Sequence, residues 1–180
     1  MKIVVITGSP HKNGSSEVLA EEFIAGAHEA GHMVYKFDSA AKKIHPCIAC
    51  DKCHMEKSGC VFDDDMSELN RHLIESDAVV FVSPIYYYAI TSQLKAVIDR
   101  FYANDAAIQN GKKSALILAF ADDTDSAAKG AAESFKSMCG YLGWKDVGVI
   151  AACGCSDPAG VNESPFPGQA RLLGRNIANL

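Results

Sequence analysis

Ile3-Val4-Val5-Ile6, followed closely by Gly8-Ser9-Pro10-His11-Lys12-Asn13-Gly14-Ser15-Ser16-Glu17, is the stretch on which the fold of this chain turns. The apolar run reads as a buried strand. A loop of Gly, Pro, Asn and hydroxyl residues comes next and opens a helix. Such a turn points backbone N–H groups and Ser side chains at one spot, beside the positive end of a helix dipole, and that geometry holds a phosphate. The loop has neither the Gly-Lys-Ser/Thr ending of an NTP-binding P-loop nor the G-x-G-x-x-G of a dinucleotide fold. It is the loop expected for a mononucleotide, with hydroxyls in place of a lysine. The competing reading is a tight strand-to-helix turn with its N-cap and no ligand.

Outward from this stretch, apolar runs alternate with helical spacing. Ile3–Ile6, Met33–Phe37, Ala78–Val82, Ser114–Ala119 and Val147–Ala151 are predicted strands. Four are nearly continuous in apolar character, as parallel strands covered on both faces should be, and the more alternating second belongs at an edge. Leu19, Phe23 and Ala27 mark a first helix. Met66, Leu69 and Leu73 mark a second, with Asp65 as N-cap and Glu68 completing a capping box. Leu94, Val97, Ile98 and Phe101 mark a third, Phe135, Met138, Cys139 and Leu142 a fourth, and Leu172, Leu173 and Ile177 a last one. The expected fold is α/β: a doubly wound, flavodoxin-like five-stranded parallel sheet of order 2-1-3-4-5, in three layers. Residues 1–180 read as a single domain. Two long connections break the pattern, Ala40 to Asp64, with a cysteine-rich loop at about 44–64, and Cys153 to Phe166. Long loops in compact domains are usually functional.

A chain of 180 residues with a net charge of −5 has no basic field, so nucleic acid is not an expected partner. Lys42, Lys43, Lys52 and Lys57 read as solvated surface. No apolar run is long enough to span a membrane, and the N-terminus does not read as a secretory signal. The expected location is therefore cytoplasmic, where the seven cysteines read as ligands, redox groups or buried small residues rather than disulfides.

In such a sheet, ligands bind outside the carboxyl ends of the strands, at the point where strand order reverses. The loops after strands one, three and four meet there. The second of them, Ser83-Pro84-Ile85-Tyr86-Tyr87-Tyr88-Ala89-Ile90-Thr91, offers polar backbone edges and aromatic faces that suit a planar amphipathic ring. Three neighbouring tyrosines cannot all face one ligand, so at least one covers a sheet edge or an interface. The third, Ala121-Asp122-Asp123-Thr124-Asp125, either edges the pocket or is solvated.

Gly8-Ser9-Pro10…Asn13-Gly14-Ser15 together with Ser83-Pro84-Ile85-Tyr86…Thr91…Leu94-Lys95…Asp99-Arg100 resembles the NADPH-dependent FMN reductase branch of the flavodoxin-like proteins. The resemblance implies that Ser9, Asn13, Gly14, Ser15 and Ser16 surround an FMN phosphate. It likewise implies that Pro84, Ile85, Tyr86 and Tyr88 lie against the isoalloxazine. Ala121 and Asp122, from the loop after strand four, are the residues expected at the pocket edge. It implies a structural role for Asp99-Arg100 and a homodimer or homotetramer. The activity it implies is transfer of electrons from NAD(P)H through FMN to a quinone, azo compound, free flavin or metal ion. No catalytic acid or base is assigned, because the flavin performs the redox step.

Cys47-x2-Cys50-x2-Cys53-x6-Cys60 is the second signal. Three thiolates at this spacing can wrap one face of a cubane, and a fourth closes it. The run resembles the motif of the iron–sulfur flavoproteins, which pair FMN with a [4Fe–4S] cluster. Zinc on four thiolates, and a metal-free ordered loop, stay open as readings. His45 and His54 flank the run as further donors or as exposed loop residues. A cluster would favour an electron carrier or redox sensor that exchanges electrons with ferredoxin. A third reading is a metal-binding or docking domain without flavin. Cys153-Gly154-Cys155 reads as small residues in a tight loop, Trp144 as packing at the start of the fifth strand. No Ser/His/Asp or Cys/His pairing supports hydrolysis.

Overall fold

The computed structural model describes residues 1–56 and 59–180; Lys57 and Ser58, in the cysteine-rich connection, lie outside the described residues. Five strands, β1 (Lys2–Thr7), β2 (Met33–Asp38), β3 (Ala78–Pro84), β4 (Lys113–Ala119) and β5 (Lys145–Ala152), form one parallel sheet of order β2-β1-β3-β4-β5. The helices are α1 (Ser15–Glu29), α2 (Lys52–Met55), α3 (Met66–Glu75), α4 (Ser92–Asp99), α5 (Asp105–Ile108), α6 (Lys129–Leu142), α7 (Pro158–Glu163) and α8 (Phe166–Asn176). None is long and apolar enough to cross a membrane.

Successive side chains of a strand point to opposite faces, and here both faces are covered. Ile3, Val5, Val80, Val82 and Ile117 bury against Leu19, Phe23, Val161, Ala170 and Ile177 of the α1, α7, α8 layer. Val4, Ile6, Val79, Phe81, Leu116 and Leu118 bury against Met66, Leu69, Leu94, Val97, Phe135 and Cys139 of the α3, α4, α6 layer. The predicted strands and their order stand, with β2 at one edge. The last strand is the other edge, so β5 is only half-buried along its length. Gly143, at φ 66°, ends α6 in a left-handed cap, and the buried Trp144 comes next, its Nε1 donating to the Ile108 carbonyl at 2.7 Å.

Three expectations are corrected. Asp65 makes no side-chain cap and no capping box forms. Asp65 instead accepts from the Lys43 N–H, Asp64 accepts from the Met66 N–H, and Glu68 binds the Tyr35 hydroxyl and Lys42. Leu172 is exposed on α8, because that helix meets α1 through Ala170 and Gly174. The connection after Cys153 is not a plain loop, since α7 forms within it. Asp157 caps that helix through the Gly160 N–H at 3.0 Å, ahead of Pro158 at its start.

Candidate functional site

Strand order reverses between β1 and β3, and a cleft of about 450 Å³ opens there at the carboxyl ends of the strands. That size lies within the usual range of small-ligand sites, about 300–1,000 Å³. One wall is the loop after β1. Ser9 folds it back on itself, its Oγ accepting from the His11 N–H at 3.2 Å. Asn13 adopts φ 58°, a left-handed conformation that Asn tolerates better than most side chains. Gly14 then caps α1 in extended backbone, leaving Ser15 and Ser16 as the first residues of the helix. The first N–H groups of a helix have no partner within it, and the dipole favours an anion there. Ser15 Oγ is buried with no hydrogen-bond partner among the described residues.

The opposite wall is the loop after β3. Pro84, Ile85 and Tyr86 line the cleft, with Ala119, Phe120 and Ala121 from the end of β4 beside them. The Ile85 N–H donates to the Ala119 carbonyl at 3.0 Å, which sets these two strand exits side by side. Beyond Tyr86 the chain reverses in two residues. Tyr87 and Tyr88 both have positive φ, 48° and 63°, between the paired Tyr86 and Ala89. This is the geometry of a type I′ turn, usually made by Asn and Gly.

The turn separates the three tyrosines. Tyr86 lines the cleft, Tyr87 is 99% exposed, and Tyr88 lines a different, apolar groove between α4 and α6 with Ile90, Leu94, Ile98 and Phe135. Tyr88 is thus corrected as a ring contact of this cleft, because its left-handed backbone carries it to the other side. Asp122 is also outside the cleft lining; its carboxylate accepts from the Thr124 N–H at 3.0 Å. Asn13 lines an adjoining depression with Ser9, Pro10 and Asp38. Sequence reasoning missed Lys12 as a cleft residue, along with Phe120 and the segment Cys155–Pro158. Lys12 is a cation in the lining of this cleft. The Asp157-Pro158 pair, a helix-start pattern, was the signal for the last segment.

The second cluster lies beside α4. Cys47, Cys50, Cys53 and Cys60 line one pocket, together with Phe62, Asp99, Arg100 and Tyr102. Ala49 and Asp51, either side of Cys50, both have positive φ, so the loop coils tightly about it. Burial pushes the Cys53 thiol up, with Cys60 and Cys50 close enough to add to the effect. The space enclosed is small, about 20 Å³, room for one water rather than a cubane. Among the described residues no three ligand side chains converge closely enough to hold a metal ion as they stand. Cys47 is exposed, and Cys50, Cys53 and Cys60 are half-buried.

His45 and His54 are not in the lining of this pocket. His45 binds Asp64 and stacks on Phe62, while His54 meets the Tyr102 carbonyl at 2.7 Å. What fixes the loop is Arg100, 3% exposed. Its Nη1 donates to Asp64 Oδ2 and to the His45 carbonyl, both at 2.8 Å, and its Nη2 to Asp64 Oδ1 at 3.2 Å. Burial alone would raise the Asp64 carboxyl, but Arg100 and the His45 and Met66 N–H groups hold it below the usual carboxylate value. Asp99 is turned outward to Lys95. Cys153 and Cys155 flank Gly154, at φ 66°, in a tight turn, and burial raises the Cys155 thiol.

The family model for NADPH-dependent FMN reductases matches residues 1–154. An iron–sulfur flavoprotein of Archaeoglobus fulgidus is 42% identical over 100 residues, 56% of this chain and 45% of the relative. The chain spans about half the length of the curated iron–sulfur flavoproteins it matches. An NAD(P)H:quinone oxidoreductase from Methanothermobacter marburgensis superposes with a TM-score of 0.76 at 21% identity, covering 98% of this chain and 96% of that one. An FMN-dependent NADH-azoreductase from Bacillus anthracis, in complex with FMN, superposes with a TM-score of 0.75 at 16% identity, covering 99% and 100%. At those identities the two structures establish the shared flavodoxin-like fold.

Proposed function

The chain belongs to the NADPH-dependent FMN reductase family, and we propose that it is an oxidoreductase carrying electrons from NAD(P)H through FMN to a small acceptor. The observation that carries this is Ser15 Oγ, buried and unpartnered at the start of α1, in the same cleft as Pro84, Ile85 and Tyr86. A buried hydroxyl without a partner is costly, and a phosphate oxygen is the acceptor that the surrounding N–H groups select. Ser9, Asn13, Gly14, Ser15 and Ser16 would hold that phosphate, and Lys12 would balance its charge. Pro84, Ile85, Tyr86 and Ala121 would orient the ring at the strand ends. Bound FMN supplies hydride acceptance from NAD(P)H and onward electron transfer. The acceptor is a quinone, azo compound, free flavin or metal ion.

The cysteine pocket supports a second component. Four soft thiol donors and an unpartnered buried Arg100 Nε on one pocket match the chemistry of an iron–sulfur cluster better than that of a packed loop. Cys47, Cys50, Cys53 and Cys60 would hold a [4Fe–4S] cluster, with the loop rearranging as the thiols lose their protons. Such a cluster supplies one-electron transfer, and with it exchange with a ferredoxin. The relatives named iron–sulfur flavoproteins support this reading. The fully exposed Tyr87 and the apolar groove beside Tyr88 support a homodimer or homotetramer, and seven free cysteines support a reducing, cytoplasmic setting.

An anaerobic absorption spectrum of the purified protein, with iron and sulfide analysis, tests both components. Flavin bands, with iron and sulfide in equal amounts, are expected. Steady NAD(P)H oxidation marks the enzyme, and reduction by ferredoxin alone marks the carrier. A colourless protein that takes up no added FMN overturns the proposal.

A further inference from the structure

We propose that Arg100 donates its Nε–H to a cysteine sulfur of the four-thiol pocket and thereby raises the reduction potential of a cluster held there; the inference rests on the cluster reading above. Arginine carries five N–H donors in a rigid fork and no acceptor. Here the two terminal nitrogens are committed to Asp64 and the His45 carbonyl. Nε is buried and has no partner among the described residues. Asp64 cannot take it, because its two oxygens already accept from Arg100 and from the His45 and Met66 N–H groups.

The other groups that share the pocket with Arg100 include the four cysteines. Asp99 pairs with Lys95, and the Tyr102 carbonyl is taken by His54. The four cysteine sulfurs are acceptors on that same pocket. A hydrogen bond to a cluster-bound sulfur favours the more negative, reduced cluster and so raises its potential. Asp64 neutralises the charge of Arg100, which leaves the directed N–H as the tuning element. Arg100 is a positioning residue in this role. It touches a ligand of the cluster and takes no part in the electron transfer itself.

The test uses protein labelled with [15N]arginine, loaded anaerobically with iron and sulfide, assayed for both, and reduced with dithionite. Pulsed EPR of the reduced cluster should detect a weak 15N coupling in the wild type that is absent from Arg100→Lys. Arg100→Lys keeps the positive charge opposite Asp64 but lacks Nε. Its cluster midpoint potential should fall while the flavin midpoint stays unchanged. A loaded cluster without 15N coupling, or with an unchanged midpoint in Arg100→Lys, overturns this inference alone. A wild-type protein that takes up no iron and sulfide overturns the cluster reading and this inference together.

Discussion

Thr91 Oγ1 donates to the Gly8 carbonyl at 2.7 Å, buried beneath the cleft. The same oxygen accepts from the Leu94 N–H at 3.4 Å and so caps α4. One hydroxyl therefore ties the exit of β1 to the loop after β3, the two walls between which the ring would sit. The approach is close: a Cβ on Gly8 would stand 2.6 Å from that oxygen. Spacing of the two walls is set by this contact as well as by the strands.

Thr91→Val keeps the shape of the side chain and removes both bonds. It leaves the Gly8 carbonyl and the Leu94 N–H unpaired, which costs about 1–3 kcal/mol. Urea unfolding should register that loss, and FMN titration should give weaker binding. Thr91→Ser should restore both.

Ser15→Asp separates ligand binding from folding. An acidic residue in the first turn of a helix contributes about 0.3–1 kcal/mol of stability. The same charge would face a dianionic phosphate, so FMN affinity should drop by about 10- to 100-fold. Thermal unfolding without FMN should be unchanged or slightly raised. Ser16, 2% exposed as a whole residue, is a poorer site for this test than the half-buried Ser15.

Asp64→Asn breaks the buried pair with Arg100, in which each side chain is 2% exposed. Leaving one charge of such a pair uncompensated costs about 3–5 kcal/mol. The pH dependence has a definite sign. Asp64 titrates lower in the folded chain than the ordinary carboxylate. Its stabilisation is thus complete above the unfolded value of about 3.9 and is lost as pH falls through the folded value. Urea midpoints measured from neutral pH downward should fall more steeply at acid pH in the wild type than in Asp64→Asn.

Gly26 and Gly174 allow α1 and α8 to meet backbone to backbone. A Cβ on Gly26 would strike the Arg171 carbonyl, and one on Gly174 the Phe23 carbonyl. Either alanine variant should lose about 1–3 kcal/mol or more by overpacking. Gly140→Ala on α6, where a Cβ would meet nothing within 4 Å, should instead gain about 0.5–1 kcal/mol. Thermal melts of the three variants distinguish the cases.

The strands were legible because parallel strands buried on both faces leave unbroken apolar runs, as Ile3–Ile6 and Ala78–Val82 do. Their ends, and with them the cleft, came from topology. Side-chain direction in the loops was not legible. Tyr87 and Tyr88 make a left-handed turn without the Asn or Gly that would announce it. Glu68 has the spacing of a capping residue, yet Tyr35 and Lys42, distant in sequence, bind it. The cysteine spacing was plain. The buried Arg100–Asp64 fork that anchors the loop depends on residues 36 apart, which no local pattern links.

The proposed placement of the ring depends on the loop opening α1 gripping a phosphate. Flavin-free protein titrated with FMN and with riboflavin tests it most directly, since the two ligands share the ring and differ in the phosphate. Hydrogen bonds to a charged group contribute about 1.5–3 kcal/mol each, so FMN should bind at least about 100-fold more tightly, and Ser15→Asp should erase most of that margin. Equal affinity for the two flavins would mean that the loop does not grip the phosphate.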